Sequence, residues 1–262
     1  MLKGEHKAKK SLGQNFLKSV PALNAIVLAG EIKKDDIILE IGPGKGALTE
    51  KLLEKSGKVI AIEKDKDLLD LLQEKFKEEI KNGKFVLINE DVLNYEIKEK
   101  NYKIIANIPY NITGAILKKF LTADNQPERM VLMVQNEVAR RIVAKEGDES
   151  ILSISVKAYG KPKIIIKVPA RYFSPAPKVD SAIIAINNIS RETFNKNNIK
   201  EEKFWEIVKN GFAHKRKVLV SNLKDLYKKE KILEIFEKLN ISEKTRAEDL
   251  TLENWIAITK ML

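Results

Sequence analysis

The chain has 262 residues, of which 44% are apolar and 32% charged, and its formal net charge is +11 at neutral pH. This length suffices for one sizeable core and a small second domain. The basic surplus indicates either a polyanionic partner or a solvated lysine-rich surface. The absence of cysteine excludes disulfide and thiolate chemistry. Neither a secretory signal nor an apolar run near the roughly 18 residues of a membrane span is present, so we expect a soluble cytoplasmic protein.

Short apolar runs alternate with longer helical patterns between residues 37 and 145. Strands are predicted at IILEI (37–41), KVIAI (58–62), FVLI (85–88), KIIA (103–106) and MVLMV (130–134). Helices are predicted, between and after these strands, at residues 47–55, 65–80, 113–121 and 136–145. Strands connected by helical crossovers indicate an α/β fold whose parallel sheet is covered on both faces.

The pattern changes after residue 150. KIIIKV (163–168) and SAIIAI (181–186) are predicted as strands joined by a proline-rich loop. Because that loop is too short for a parallel crossover, we expect the two strands to pair antiparallel at the sheet edge. The polar stretch 187–202 lacks periodicity, and only helical spacing follows it. We therefore predict two domains, residues 1–188 containing the sheet and residues 189–262 forming a small all-helical domain.

A glycine-rich turn, EIGPGKG (40–46), follows the first predicted strand. Glycines let the backbone turn tightly and approach a ligand just before a helix begins. Glu63 ends the second strand, where a carboxylate can accept both ribose hydroxyls of a nucleoside. Asp91 follows the third strand, where an acid can accept a hydrogen bond from an adenine amine. Each feature alone is typical of a tight turn, a helix cap or a solvated charge, but together they favour a nucleoside site.

Two cofactors, a dinucleotide and S-adenosylmethionine, fit this pattern. The glycines are spaced G-x-G-x-G rather than G-x-G-x-x-G, and nothing supplies a second glycine set for a pyrophosphate. The two histidines, His6 and His214, stand in basic segments that are poorly placed for a hydride-transfer acid. These observations favour S-adenosylmethionine.

The stretch ANIPYN (106–111) places an amide, a rigid bend and an aromatic ring after a buried strand. The exocyclic amine of adenine is a poor nucleophile because its lone pair is delocalised into the ring. Two acceptors could take hydrogen bonds from the N–H groups of this amine and so localise its lone pair on the nitrogen. They are the side-chain oxygen of Asn107 and the carbonyl of Ile108, which Pro109 holds in an extended conformation. Tyr110 offers a ring face on which the base could stack. A strand that simply ends in Asn and Pro is a common alternative, but it does not explain the tyrosine.

Six motifs resemble those of the ribosomal RNA adenine N6,N6-dimethyltransferase family, in the expected order. They are LGQNFL (12–17), EIGPGKGALT (40–49), AIEKD (61–65), EDVL (90–93), NIPYNI (107–112) and FSPAPKVDSAII (173–184). LGQNFL and GFAHKRKVLVSNL (211–223) point to the small-subunit enzyme. The macrolide-resistance methyltransferases of large-subunit rRNA share NIPY and the FxPxPKV loop, and they are the branch most easily confused with it. The resemblance implies a Rossmann-like class I methyltransferase sheet, mostly parallel, with an antiparallel edge strand.

The resemblance also implies roles for particular residues. The implied cofactor-binding residues are Asn15 and Leu17 in an N-terminal strap (residues 3–18), Gly42 and Gly44 at the turn, Glu63 at the ribose, Asp91 at the adenine, and Val92 and Asn107. The implied catalytic residues are Asn107, Pro109, Tyr110 and Phe173, with Phe173 stacking on the target adenine opposite Tyr110. The family usually has a turn with Tyr and Gly before its sixth strand. Here KEGDESILSI (145–154) is shorter, and no substrate contact is assigned to it.

Two basic clusters are predicted to contact RNA. Lys9 and Lys10 lie in the N-terminal strap, and Lys215, Arg216 and Lys217 follow a predicted helix end near Phe212. Isolated charge runs are typical of solvated faces. Around a site for a nucleotide base they are predicted to contact phosphates, which gives affinity and orientation rather than base identity.

The implied activity is dimethylation of the N6 amines of two adjacent adenines in a hairpin loop near the 3′ end of small-subunit rRNA, during subunit biogenesis. S-adenosylmethionine is the implied methyl donor, no metal is implied, and the expected partner is the rRNA or the immature small subunit. We expect a monomer. The alternatives are a large-subunit rRNA adenine methyltransferase of the macrolide-resistance type and a non-catalytic RNA-binding assembly factor.

Overall fold

The computed structural model describes residues 8–9 and 12–262, which form two compact units. The first unit contains the described residues up to Ala139 together with Lys161–Ile189, and the second contains Arg140–Gly160 and Ser190–Leu262. Residues 140–160 thus belong to the same compact unit as the C-terminal helices, although they precede the predicted boundary. The functional division predicted at residues 188 and 189 stays a prediction.

The first unit is built around a seven-stranded sheet. In chain order its described strands are β1 (Phe16–Leu17), β2 (Ile37–Ile41), β3 (Lys58–Glu63), β4 (Phe85–Asn89), β5 (Tyr102–Asn107), β6 (Arg129–Gln135), β7 (Lys161–Val168), β8 (Phe173–Ser174) and β9 (Ser181–Asn187). The large sheet has the order β4-β3-β2-β5-β6-β9-β7, and β1 pairs separately with β8. The five neighbouring strands β4, β3, β2, β5 and β6 run parallel to one another, whereas β9 is antiparallel to both β6 and β7. The predicted α/β sheet with an antiparallel edge is confirmed.

The parallel strands are continuous apolar runs because helices cover both faces of the sheet. All five residues from Met130 to Val134 in β6 have no exposed surface. The helices are α1 (Val20–Ala29), α2 (Ala47–Lys55), α3 (Lys66–Lys75), α4 (Lys77–Lys81), α5 (Thr113–Leu121) and α6 (Asn136–Ile142). The single helix predicted at 65–80 is two helices, since Phe76 leaves the helical conformation with φ −114° and ψ 31°. Its buried ring packs edge-on against Phe85.

The second unit is entirely helical within the described residues. The unit contains the end of α6 and the helices α7 (Ile151–Lys157), α8 (Glu192–Asn197), α9 (Glu201–Gly211), α10 (Leu219–Leu223), α11 (Lys229–Lys238) and α12 (Leu252–Met261). The sequence patterns predicted neither α7 nor α8. A capping box of Ser150 and Ser153 begins α7, and buried Phe194 anchors α8 against Tyr159. Among residues 8–9 and 12–262, no helix has the length and apolar character needed to span a bilayer.

Gly46, just before α2, and Gly83 have similar backbone conformations but different surroundings. Comparing substitutions at the two positions therefore separates steric crowding from backbone strain. The two glycines have φ angles of +76° and +75°. A Cβ at Gly46 would lie 2.5 Å from Cε2 of Phe76, whereas a Cβ at Gly83 would meet nothing within 4 Å. We expect Gly83→Ala to lower the free energy of unfolding by about 1–2 kcal/mol through left-handed strain alone. Gly46→Ala should lower it by roughly 1–3 kcal/mol more, because it also overpacks the core.

Urea unfolding of the two variants beside the wild-type protein measures this difference. Equal losses at the two positions would show that Phe76 moves aside freely.

Candidate active site

A cavity of about 820 Å³ opens at the carboxyl ends of β2, β3, β4 and β5. This is where the strand order reverses between β2 and β5, the usual ligand position in open α/β sheets. Eight residues that line the cavity are those predicted to bind the cofactor: Asn15, Leu17, Gly42, Gly44, Glu63, Asp91, Val92 and Asn107. The fold thus brings together residues that are as much as 92 positions apart. Their individual roles stay predictions.

The glycine turn between β2 and α2 carries its backbone along the cavity wall. The N–H of Gly42 donates to the Ile62 carbonyl at 2.9 Å, which ties the turn to β3. Gly44 has a φ of +59°, and a Cβ there would lie 2.9 Å from Cδ1 of Phe16. Only glycine therefore lets the Phe16 ring of the strap lie directly on the turn.

Glu63 is held at the end of β3 by backbone donors. The residue is 6% exposed, and its carboxylate accepts the N–H of Asp65 at 2.8 Å and the N–H of Gly44 at 3.2 Å. Burial raises the pKa of Glu63, and these backbone donors oppose that rise. A carboxylate has about four lone-pair sites, so acceptor capacity remains for a ligand beyond these backbone donors.

Asp91 stands two positions beyond β4 in a more polar setting. Its Oδ2 accepts from Nζ of Lys64 at 2.8 Å, and its Oδ1 accepts the Leu93 N–H at 2.9 Å. The Lys64 ammonium holds the pKa of Asp91 below its usual range. An ionised acceptor therefore lines this end of the cavity at neutral pH, beside buried Val92.

Glu40 also lies on the cavity wall, and no functional role was predicted for it from the sequence. Its side chain is 1% exposed, and Oε2 accepts from Oγ1 of Thr49 at 2.7 Å. Burial raises its pKa to about 8. The signal in the sequence is a single acid inside the apolar strand IILEI.

Asn107 ends β5 with its amide turned toward the strap. Its Nδ2 donates to the Asn15 carbonyl oxygen at 3.1 Å. Since a carbonyl can only accept, the amide nitrogen must face the strap, and Oδ1 is left for another donor. Pro109 follows with an extended ψ of 128°, and Tyr110 begins a short 3-10 turn.

Tyr110 is positioned by a residue from another predicted motif. Its Oη lies 2.5 Å from Oγ of Ser181, which has no exposed surface and begins β9. Burial raises the pKa of Tyr110, so the phenol stays protonated at neutral pH. The Tyr110 carbonyl also accepts from Oγ1 of Thr113 at 3.0 Å. No role was predicted for Ser181 from the sequence, although the motif FSPAPKVDSAII contains it.

Phe173 lies in the core in this structure. It is 4% exposed, belongs to a hydrophobic core cluster, and pairs through β8 with Leu17 of β1. Its neighbours Ser174 and Pro175 line the cavity, while Phe173 itself is not among the lining residues. Its stacking on a target base stays a prediction.

The two basic clusters have different surroundings. Nζ of Lys9 is bound to the carboxylates of Asp65 and Asp67, so this strap lysine already has two anionic partners. Lys10 lies outside the described residues. In the second unit, the exposed turn after α9 carries the side chains of Lys215, Arg216 and Lys217.

The buried amide of Asn222 supports the turn after α9. Its Nδ2 donates to the carbonyls of Gly211 and His214 at 2.5 and 3.2 Å.

The RNA contacts predicted for both basic clusters stay predictions. Across residues 8–9 and 12–262, no group of three or more His, Cys, Asp or Glu side chains is arranged to hold a metal.

Comparisons with known proteins agree on one family. The model of the family described as "Ribosomal RNA adenine dimethylase" matches residues 5–262. Two curated relatives are named ribosomal RNA small subunit methyltransferase A. The one from Dehalococcoides mccartyi (strain CBDB1) is 43% identical over 256 residues, covering 95% of this chain and 86% of the relative. The one from Fusobacterium nucleatum subsp. nucleatum is 40% identical over 263 residues, covering 98% of each.

Two solved structures resemble the whole chain. A dimethyladenosine transferase from Plasmodium falciparum superimposes with a TM-score of 0.81 at 28% identity, covering 93% of this chain and 95% of that one. The 23S rRNA methyltransferase ErmE superimposes with a TM-score of 0.78 at 25% identity, covering 95% and 99%.

Burial of Glu40 predicts a pH-dependent stability. The unfolded carboxyl loses its proton near 4.5 and the folded one near 8. Between these values the folded state holds a proton that the unfolded state has released, so the free energy of unfolding falls as the pH rises. We expect Glu40→Gln to remove this fall, so that its stability relative to wild type grows by up to about 1.4 kcal/mol per pH unit from pH 5 to 8.

Thermal or urea unfolding at several pH values, without added ligand, tests this. Glu78→Gln is the matched control, because it removes an exposed carboxyl on α4. A stability difference for Glu40→Gln that does not change with pH would disprove the assignment.

Proposed function

The chain belongs to the ribosomal RNA adenine dimethylase family. On that premise we propose that it transfers two methyl groups from S-adenosylmethionine to the N6 amine of each of two adjacent adenines in a hairpin loop near the 3′ end of small-subunit rRNA, during subunit biogenesis. One observation carries the proposal: the predicted cofactor residues and the NIPY motif line a single cavity.

The small subunit is favoured over the large one by the identities of the relatives. The relatives named as small-subunit enzymes are 40–43% identical to this chain, whereas the 23S rRNA methyltransferase ErmE is 25% identical. A non-catalytic assembly factor is not favoured, because Asn107, Pro109 and Tyr110 are all present on the cavity wall.

The residues that line the cavity fit S-adenosylmethionine, the methyl donor of this family. The volume of the cavity, about 820 Å³, is within the range of small-molecule sites. Gly42 and Gly44 would present their backbone to it, Glu63 would accept the ribose hydroxyls and Asp91 the adenine amine. When bound, the cofactor supplies an electrophilic methyl group.

Catalysis by this chain would depend on acceptors aimed at the target amine. We propose that Oδ1 of Asn107 and the carbonyl of Ile108 accept hydrogen bonds from the two N–H groups of the target amine. These bonds would draw the amine nitrogen out of conjugation with the ring and expose its lone pair. Tyr110 would stack on the adenine ring, an interaction worth roughly 1–3 kcal/mol. A monomethylated amine keeps one N–H, so the second transfer would proceed with one acceptor engaged.

The RNA side of the proposal uses unpaired bases and basic residues. A loop adenine is already partly unstacked, so turning it into the cavity costs less than flipping a duplex base. Lys215, Arg216 and Lys217 would contact phosphates. We also propose that the enzyme is a cytoplasmic monomer; sedimentation of the purified protein and cell fractionation measure these two properties.

The decisive assay incubates the protein and labelled S-adenosylmethionine with unmethylated small and large ribosomal subunits in separate reactions. We expect four methyl groups per small subunit, all on adenine N6 atoms, and none on the large subunit. Mass spectrometry of nuclease digests identifies the products. Methyl groups on the large subunit alone would support the macrolide-resistance type, and an absence of methyl groups from both would leave an RNA-binding factor.

Asn107→Ala tests the proposed role of the amide in the same assay. We expect turnover to fall about 10²-fold or more, as for loss of a preorganised polar contact, while RNA binding persists. Asn125→Ala is the control, because that side-chain amide donates to the backbone carbonyls of Ile97 and Glu99 and does not line the cavity. Wild-type turnover in Asn107→Ala would reject the role of Asn107.

Reversing the charge of Lys215 and Arg216 tests the basic turn after α9. We expect Lys215→Glu with Arg216→Glu to weaken RNA binding and to reduce the slope of log K against log salt by about 2, since each phosphate contact contributes nearly one. The matched control is Lys228→Glu with Lys229→Glu, which changes the net charge equally at exposed positions of the same unit.

Filter binding or fluorescence anisotropy at several salt concentrations gives the slopes. If both double variants change the slope equally, binding responds to net charge alone and the turn is not a contact surface.

A further inference from the structure

The strap holds the amide of Asn107 through a backbone group. The carbonyl of Asn15 accepts from Nδ2 of Asn107 at 3.1 Å, and this bond settles which end of the amide faces the target base. Among the described hydrogen bonds, Nδ2 has this one partner. Without the Asn15 carbonyl, the amide could rotate and present N–H groups, which repel the N–H groups of an adenine amine.

The downstream end of the strap is anchored by backbone pairing. Phe16 and Leu17 form β1, which pairs antiparallel with β8. The N–H of Lys18 then donates to the Tyr172 carbonyl at 2.8 Å. Because these bonds use main-chain atoms, side-chain substitution leaves them in place.

Upstream of Asn15, the described part of the strap is anchored by side chains that meet at Asp65. Nε2 of Gln14 donates to Oδ2 of Asp65 at 2.7 Å, and Nζ of Lys9 donates to Oδ1. The backbone N–H of Lys9 also donates to Oε1 of Gln14 at 2.7 Å, which joins the two strap residues. Asp65 is 1% exposed and begins α3 by accepting the Asp67 N–H. The strap is therefore tied to a buried, rigid carboxylate.

The Asn15 carbonyl lies between these two anchors, so its position depends on both. The bend at this point is reinforced within the strap, since Nδ2 of Asn15 donates to the Gly13 carbonyl at 3.1 Å. Gly13 packs against the NIPYNI motif: a Cβ there would lie 3.2 Å from Oδ1 of Asn111. Loosening at Asp65 would therefore free the segment just upstream of β1, and with it the Asn15 carbonyl, to move away from Asn107.

We propose that Asp65 is a positioning residue for Asn107. Through Gln14 and Lys9 it holds the strap so that the Asn15 carbonyl fixes the Asn107 amide with its oxygen toward the target base. The inference rests on the proposed function, and it assigns the strap a part in the chemical step in addition to covering the cofactor cavity.

Asp65→Asn is the informative variant, because asparagine still caps α3 while its amide cannot accept from both Gln14 and Lys9. We expect kcat at saturating cofactor and RNA to fall about tenfold, as for a slightly misplaced catalytic group. Gln14→Ala should change kcat in the same direction. If the strap only covers the cavity, KM for S-adenosylmethionine will rise while kcat stays at the wild-type value, and that result would overturn the proposal.

Coupling to Asn107 provides the second test. In the Asn107→Ala background there is no amide to orient, so adding Asp65→Asn should lower kcat no further. The same tenfold loss in both backgrounds would mean that Asp65 acts by another route. Loss of all methylation by the wild-type enzyme would instead refute the proposed function, so the two failures are distinguishable.

A readout that is independent of activity comes from NMR of the protein without added cofactor. The side-chain amide signal of Asn107, identified by its disappearance in Asn107→Ala, should show an ordered, hydrogen-bonded NH₂ group in wild type and an averaged one in Asp65→Asn. Glu99→Gln is the control, since it removes another lysine–carboxylate pair, with Lys58 at 2.9 Å, away from the strap. An unchanged Asn107 signal in Asp65→Asn would also overturn the proposal.

Discussion

Parallel alignment of β2, β3, β4 and β5 is the constraint on which the whole site depends. Because these strands run in the same direction, their carboxyl ends meet at one edge of the sheet. Glu63 and Asn107 therefore converge on one cavity although 44 positions separate them in the chain. A register slip of one residue would turn each of these side chains to the other face. The buried apolar runs that hold the register thus determine the geometry of the chemistry.

Sequence pattern predicted the sheet because its strands are apolar, short and separated by amphipathic helices. IILEI matches β2 residue for residue, and the antiparallel edge followed from loop length alone. The pattern could not predict the break at Phe76, since that ring leaves the helix to pack against Phe85. It also missed α8, whose six residues are mostly polar and depend on one buried phenylalanine, Phe194.

The candidate site was predictable where motifs specify it and not where tertiary contacts do. Strand-end acids and the NIPY motif are visible as spacing. The bond between Tyr110 and Ser181 joins residues 71 positions apart, and the one between Lys9 and Asp65 spans 56, so neither leaves a local signal. Burial of Phe173 is likewise a property of the β1–β8 pair, which two-residue strands do not reveal by periodicity.

Three of the acids that line the cavity, Glu40, Glu63 and Asp91, differ in charge because their surroundings differ. Lys64 keeps Asp91 ionised, backbone N–H groups support the carboxylate of Glu63, and burial leaves Glu40, with a pKa of about 8, mostly protonated at neutral pH. The cavity is therefore less negative than its composition suggests. In the proposed function, RNA phosphates would come close to the cavity mouth. Each additional buried negative charge would repel them, because salt screens buried charges only weakly. Keeping Glu40 neutral lets the fold retain a polar wall at the glycine turn without that repulsion.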